Sequence, residues 1–134
     1  MDCLNSEYPT SMRFDLEARM IKYSVRVHEV VELLPLDHKG ATYLAGQLIR
    51  SGTAPALMYG EAIAAESRKD FIHKMKIALK ELRESCICLK IIQLKAYIKD
   101  VSSVNELLTE NNELISIFVK SIKTAKHNLE KKGN

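Results

Sequence analysis

Histidine, cysteine, serine and acidic side chains would carry metal or nucleophilic chemistry in a protein of this size, and here their spacing works against both. His28, His38, His73 and His127 fall on different stretches of the chain and form no His-x-x-x-His pair, the spacing that sets two imidazoles on one helical face toward a zinc ion. Cys86 and Cys88 are two residues apart, so on a helix their side chains point roughly 200° away from each other and do not chelate one ion. No Glu-x-x-His pair is present, which removes the di-iron signature of helical bundles. No metal and no cofactor are predicted.

Nucleophiles are equally scarce. Ser51 and Ser85 fall on inner helical stripes, where a hydroxyl ordinarily bonds back to a carbonyl one turn earlier. No Gly-x-Ser-x-Gly elbow, phosphate loop or dinucleotide fingerprint occurs. His28 lies on an apolar stripe, a position where an imidazole is usually satisfied by local hydrogen bonds or water. A minor enzymatic reading would use His28 or Glu61 and requires a polar cleft with at least two convergent titratable groups. The chain is read as non-enzymatic.

One polar pattern does stand out. Lys69, His73, Lys76, Lys80, Arg83 and Lys90 follow a heptad rhythm interrupted only by Ile87, which makes a basic ridge able to meet several phosphates of RNA or DNA at once. With no aromatic residue interleaved, such binding would be electrostatic and weakly sequence-selective. The alternative is a solvated face, its charges tied up in helix-surface ion pairs such as Lys80 with Glu84 and Asp70 with Lys74.

The elements that would position these residues are helices. A first is predicted from about Phe14 to Leu34, with Phe14, Ala18, Ile21, Val25 and His28 as its inner stripe, ended by Pro35. A second spans roughly Ala41 to Glu66 with Leu44, Leu48, Ser51, Pro55, Met58, Ala62 and Ala65 inward. Pro55 predicts a kink or break near Gly52 to Pro55, and the small row Gly52, Ala56, Gly60 and Ala64 permits close approach of a neighbour. A third runs from about Arg68 to Lys99, capped by Ser67, with Phe71, Met75, Ala78, Leu82, Ser85, Leu89, Ile92 and Ala96 in heptad register. Beside that stripe Ile72, Leu79 and Cys86 recur seven apart, as do Ile77, Ile91 and Ile98 elsewhere, giving a packing or oligomer face. A fourth follows Ser102-Ser103 to about Lys131, its stripe of Val104, Leu107, Leu108, Leu114, Ile115, Phe118, Ile122, Ala125 and Leu129 interrupted by Asn111; its late cations, Lys132 included, suit a helix C-terminus. Short connections imply an all-α, antiparallel up-down-up-down four-helix bundle over 13–132 behind a flexible tail over 1–12.

Bulk properties agree. The 134 residues, 46% hydrophobic and 28% charged, suit one soluble domain. A net charge of +3 is too mild to diagnose nucleic-acid binding, so any such role rests on how the charge is distributed. Three cysteines, Cys3, Cys86 and Cys88, make an odd count without a disulfide framework and point to the reducing cytoplasm. The tail lacks the form of a secretory signal, and no run is long and apolar enough to span a membrane.

Two stretches carry a resemblance. They are Tyr43-Leu44-Ala45-Gly46-Gln47-Leu48-Ile49-Arg50-Ser51-Gly52-Thr53 and the run from Ala65-Glu66-Ser67-Arg68-Lys69-Asp70-Phe71 through Lys80-Glu81, followed by Arg83-Glu84. Over Tyr43 to Ile92 the chain resembles a bacterial family of four-helix bundles, the S23-like proteins associated with intervening sequences of large-subunit ribosomal RNA genes. Between the two stretches the family usually has Ser-Ile-Gly-Ala-Asn; here Ala54-Pro55-Ala56-Leu57-Met58 stands instead, so the polar contact of that Asn does not transfer to Met58, while Glu61 keeps its place. The resemblance implies a homopentameric ring and a relation to the accessory protein of the reverse transcriptase in diversity-generating retroelements. Two functions are therefore weighed: a nucleic-acid-associated or accessory scaffold acting through the basic ridge, and a protein-interaction or structural oligomer whose ridge is only a solubility face.

Overall fold

A computed structural model describes residues 11–131. Of the tail expected over 1–12, residues 1–10, Cys3 among them, lie outside the described residues, as do Lys132 and the side chain of Phe14, while residues 11 and 12 belong to the first helix. Four helices, α1 (Ser11–Glu32), α2 (Lys39–Ile63), α3 (Arg68–Lys95) and α4 (Ser102–Lys131), follow one another with short connections. Each packs against its chain neighbours, and α1 closes on α4. This is the all-α four-helix bundle expected, built around a single apolar core that includes Met20, Leu48, Met75, Leu82, Leu107 and Phe118.

α1 is rotated relative to expectation. Leu16, Met20, Tyr23, Val27 and Val30 are its buried positions, with Leu34 buried just beyond its end, whereas Ile21 and Val25 are 46% and 51% exposed, and Ala18 and His28 are also exposed. The helix is apolar on two sides, and its polar partners decide which one turns inward. Arg19 donates to Glu110 at 2.9 and 2.7 Å and to Glu113 at 2.9 Å, and Arg26 donates to Glu106 at 3.0 Å. These pairs hold α1 against α4 with Tyr23, the residue midway between the two arginines, inside.

α2 runs through Pro55 without a break. The ring removes one backbone donor, yet the residue is buried and the surrounding packing holds the helix together. Of the two glycines in the small row, Gly52 is used for close approach and Gly60 is not: a Cβ at Gly52 would sit 2.5 Å from Val27 Cγ1, while nothing lies within 4 Å of one at Gly60. Ser51 Oγ donates back to the Gln47 carbonyl at 2.8 Å, and the predicted inner stripe is buried or half-buried throughout.

α3 begins as expected, Ser67 Oγ accepting from the Asp70 amide at 3.0 Å. It ends four residues early. Ala96, assigned to the inner stripe, instead takes a left-handed conformation (φ 57°, ψ 42°) and is exposed. The chain then turns so that Ile98 enters the core and the Tyr97 ring packs against His38. Asp100 accepts from the Ser102 amide at 3.0 Å, opening α4; this contact holds its carboxyl below the usual range.

Candidate nucleic-acid interface

All six ridge residues, Lys69, His73, Lys76, Lys80, Arg83 and Lys90, are exposed, and the heptad spacing of α3 places them on one flank. The ion pairs expected to neutralise that flank do not form. Glu84 pairs with Arg50 of α2, as does Glu81 at 3.3 Å, and Lys74 pairs with Glu61 of α2 at 2.7 Å. Contacts within α3 lose out because these carboxylates lie on the side of α3 that faces α2, where an interhelical cation is in reach. Of the ridge, Lys76 lies near α4. Lys76 meets Lys126 of α4 there, and their contact and repulsion hold the Lys76 ammonium below the ordinary lysine value.

Among the described residues, interhelical ion pairs thus fall on the α1–α4 and α2–α3 seams, and none joins α3 to α4. The α3–α4 seam is fastened instead by neutral contacts. Gln93 Nε2 donates to Asn105 Oδ1 at 2.6 Å, and Asn111 Nδ2 donates to the Leu82 carbonyl at 2.9 Å.

Ile72 and Cys86 are each 7% exposed and Leu79 packs against the core, so in the single chain these three serve packing. Exposed apolar side chains lie elsewhere, among them Ile87 (55%), Ile91 (44%) and Leu94 (85%) along the last turns of α3. Burial raises the Cys88 thiol, with Glu84 adding to the effect, and Cys86 and Cys88 are both free.

Other candidate chemistry is dispersed. Nε2 of exposed His28 lies 2.9 Å from Thr53 Oγ1, while Glu61 is engaged with Lys74. Among the described residues no three His, Cys, Asp or Glu side chains gather as a metal site. An open cavity of about 430 Å³ at one end of the bundle is bordered by His38, Lys39, Lys95 and Tyr97, with no carboxylate or serine on its wall.

The core holds one polar cluster the sequence reading did not assemble. Tyr23 Oη and Ser85 Oγ are 2.9 Å apart, Asn111 Nδ2 donates to Tyr23 Oη at 2.9 Å, and Ser85 Oγ donates to the Leu82 carbonyl at 2.9 Å. With Ser85 donating to that carbonyl, the phenol donates to Ser85 and the direction of the chain is set. Asn111 Oδ1 is buried without a hydrogen-bond partner. The sequence signals were Asn111 and Ser85, each a polar residue on an otherwise apolar stripe; Tyr23 of α1 lay off the predicted stripe and gave none.

Comparison with known proteins follows the same lines. The 23S rRNA-intervening sequence protein family matches residues 13–120. The chain belongs to that family. A crystal structure of an S23 ribosomal protein family member from Bacteroides thetaiotaomicron VPI-5482, a protein of unknown function, is similar with a TM-score of 0.73 and 27% identity. The similarity covers 81% of this chain and 98% of that one. No curated protein matches the chain. In this 23S rRNA-intervening sequence family member, the match includes the whole ridge and ends within α4, short of Lys126. Among the described residues no helix is long and apolar enough to cross a membrane.

Proposed function

We propose that this family member is a non-enzymatic, cytoplasmic, oligomeric scaffold that engages RNA or DNA phosphates through the exposed ridge of α3. The observation that carries the reading is the division of charge on one helix: Glu81 and Glu84 are drawn to Arg50, while Lys69, Lys76, Lys80, Arg83 and Lys90 face solvent. A solubility face would be expected to interleave both signs, and this one does not. The small net charge of +3 is no obstacle, because phosphates respond to local potential.

Lys76→Glu combined with Lys80→Glu tests it. Both positions are exposed, so helix content and melting temperature should stay near wild type. Retention on mixed single- and double-stranded RNA and DNA should fall steeply with salt in the parent and disappear in the variant. Unchanged binding in the double variant rejects the ridge.

A second reading, a protein-interaction or structural oligomer, is favoured by the exposed row Ile87, Ile91 and Leu94. A homopentameric ring and a reverse transcriptase as protein partner belong to the resemblance. Size by light scattering, with the same salt titration on the same peak, separates the two readings.

A further inference from the structure

The open cavity of about 430 Å³ lies where the start of α2 meets the end of α3, between His38, Lys39 and Gly40 on one side and Lys95, Ala96 and Tyr97 on the other. Two backbone positions bring its polar groups together. Ala96, in its left-handed conformation, turns the chain as α3 ends, and Gly40 leaves room for the residue that follows, since a Cβ on Gly40 would collide with Tyr97 Oη. The phenol thus stands over the first turn of α2, its ring centroid 6.2 Å from that of His38.

The cations on this wall are uncommitted. Among the described residues neither Lys39 nor Lys95 enters an ion pair. The acids nearest in sequence, Asp37 and Asp100, are not on the wall, and Asp100 is engaged with the Ser102 amide. Lys95, in the last turn of α3, suits the carbonyl end of its own helix. Lys39 has no such reason for its place. It opens α2, the end where a cation is unfavourable, in a first turn without an acid and behind His38, whose side chain makes no capping bond.

An anion in the cavity would convert that cost into charge-assisted hydrogen bonds. A phosphate monoester can accept from two ammonium groups and a phenol at once, and a cavity of this size has room for more than the phosphate. We infer that the cavity binds a phosphate monoester carried on a nucleoside, with Lys39, Lys95 and Tyr97 Oη holding the phosphate and the His38 ring flanking the nucleoside. A free nucleotide and the phosphorylated end of a strand share that chemistry. The site is separate from the α3 ridge and does not depend on it.

Calorimetric titration of the full chain at low salt with adenosine 5′-monophosphate, and with adenosine, tests the assignment. The monophosphate should bind, and adenosine should bind about tenfold or more weakly. Lys39→Glu should weaken monophosphate binding about tenfold or more yet melt at or above the parent temperature, because an acid suits the first turn of a helix. That gain separates lost binding from lost fold. Lys76→Glu with Lys80→Glu makes a larger charge change on the ridge, and that variant should bind the monophosphate as the parent does. A short oligonucleotide with and without a 5′-phosphate then separates the two sources. Tighter binding of the phosphorylated form, lost in Lys39→Glu, places strand ends in the cavity; equal binding of the two forms assigns it to free nucleotides, and either result upholds the site. No binding of the monophosphate, equal affinity for adenosine, or parent-like binding by Lys39→Glu overturns it. Monophosphate binding lost in the ridge variant and kept in Lys39→Glu moves the ligand to α3 and overturns the cavity as well.

Discussion

At the scale of single residues, the buried hydroxyl of Tyr23 has the largest consequence for stability. Burial, opposed by its hydrogen bonds with Ser85 and Asn111, holds its ionisation above the ordinary tyrosine value of 10.0. The fold therefore favours the neutral phenol. That contribution is complete below the unfolded value and is lost as pH rises toward the folded one, since the unfolded chain ionises first. Thermal stability should accordingly fall as pH climbs above about 10. Tyr23→Phe should cost about 0.5–1.5 kcal/mol at neutral pH and flatten that alkaline decline. Melting curves of both proteins at neutral and alkaline pH decide it: an equally steep decline in the Phe variant would remove Tyr23 as its source. Asn111 was visible in the sequence as a flaw in a stripe, but a lone polar residue does not reveal which helices complete its hydrogen bonds, because that depends on rotation about α1.

At the scale of elements, helix existence and neighbour order were legible from heptad spacing, Ser67 and the short connections, because local chemistry decides them. Rotation was not. α1 offers Met20, Tyr23 and Val27 on one side and Ile21 and Val25 on another, and the choice depends on Arg19 and Arg26 finding acids 91 and 80 positions away. The row Gly52, Ala56, Gly60 and Ala64 is a second case, uniform in sequence yet divided in space. At Gly52 the added methyl would meet both Val27 Cγ atoms, at 2.5 and 2.8 Å, inside a packed contact, whereas at Gly60 it meets nothing within 4 Å. Gly52→Ala should therefore destabilise by about 1–3 kcal/mol through overpacking. Gly60→Ala should stabilise by about 0.5–1 kcal/mol by restricting the unfolded chain. Urea unfolding of the two variants reads the opposite signs directly; a shift in the same direction would mean that the α1–α2 crossing does not depend on Gly52.

At the scale of the molecule, charge and apolar surface make separable demands. The basic ridge was legible because its cations follow the heptad rhythm; the turning of Glu81 and Glu84 away from it was not, because that depends on Arg50 of α2. Ile87, Ile91 and Leu94 continue the last turns of α3 at spacings of four and three, and they remain 55%, 44% and 85% exposed. Such a row is stabilised when a second surface covers it, as the proposed oligomer would do. Ile87→Lys with Leu94→Lys removes apolar area while adding cations beside the ridge. If the row is an assembly surface, light scattering should show the variant as a single chain of 15.2 kDa beside a larger parent species. Each isolated chain should then keep its phosphate contacts and at least the parent's salt dependence per chain, yet bind a long nucleic acid more weakly, because linked ridges raise one another's effective concentration. An unchanged mass in the variant would exclude this row from the assembly surface. A smaller mass with undiminished affinity for the long strand would mean that each bundle binds alone, leaving the oligomer no part in nucleic-acid capture.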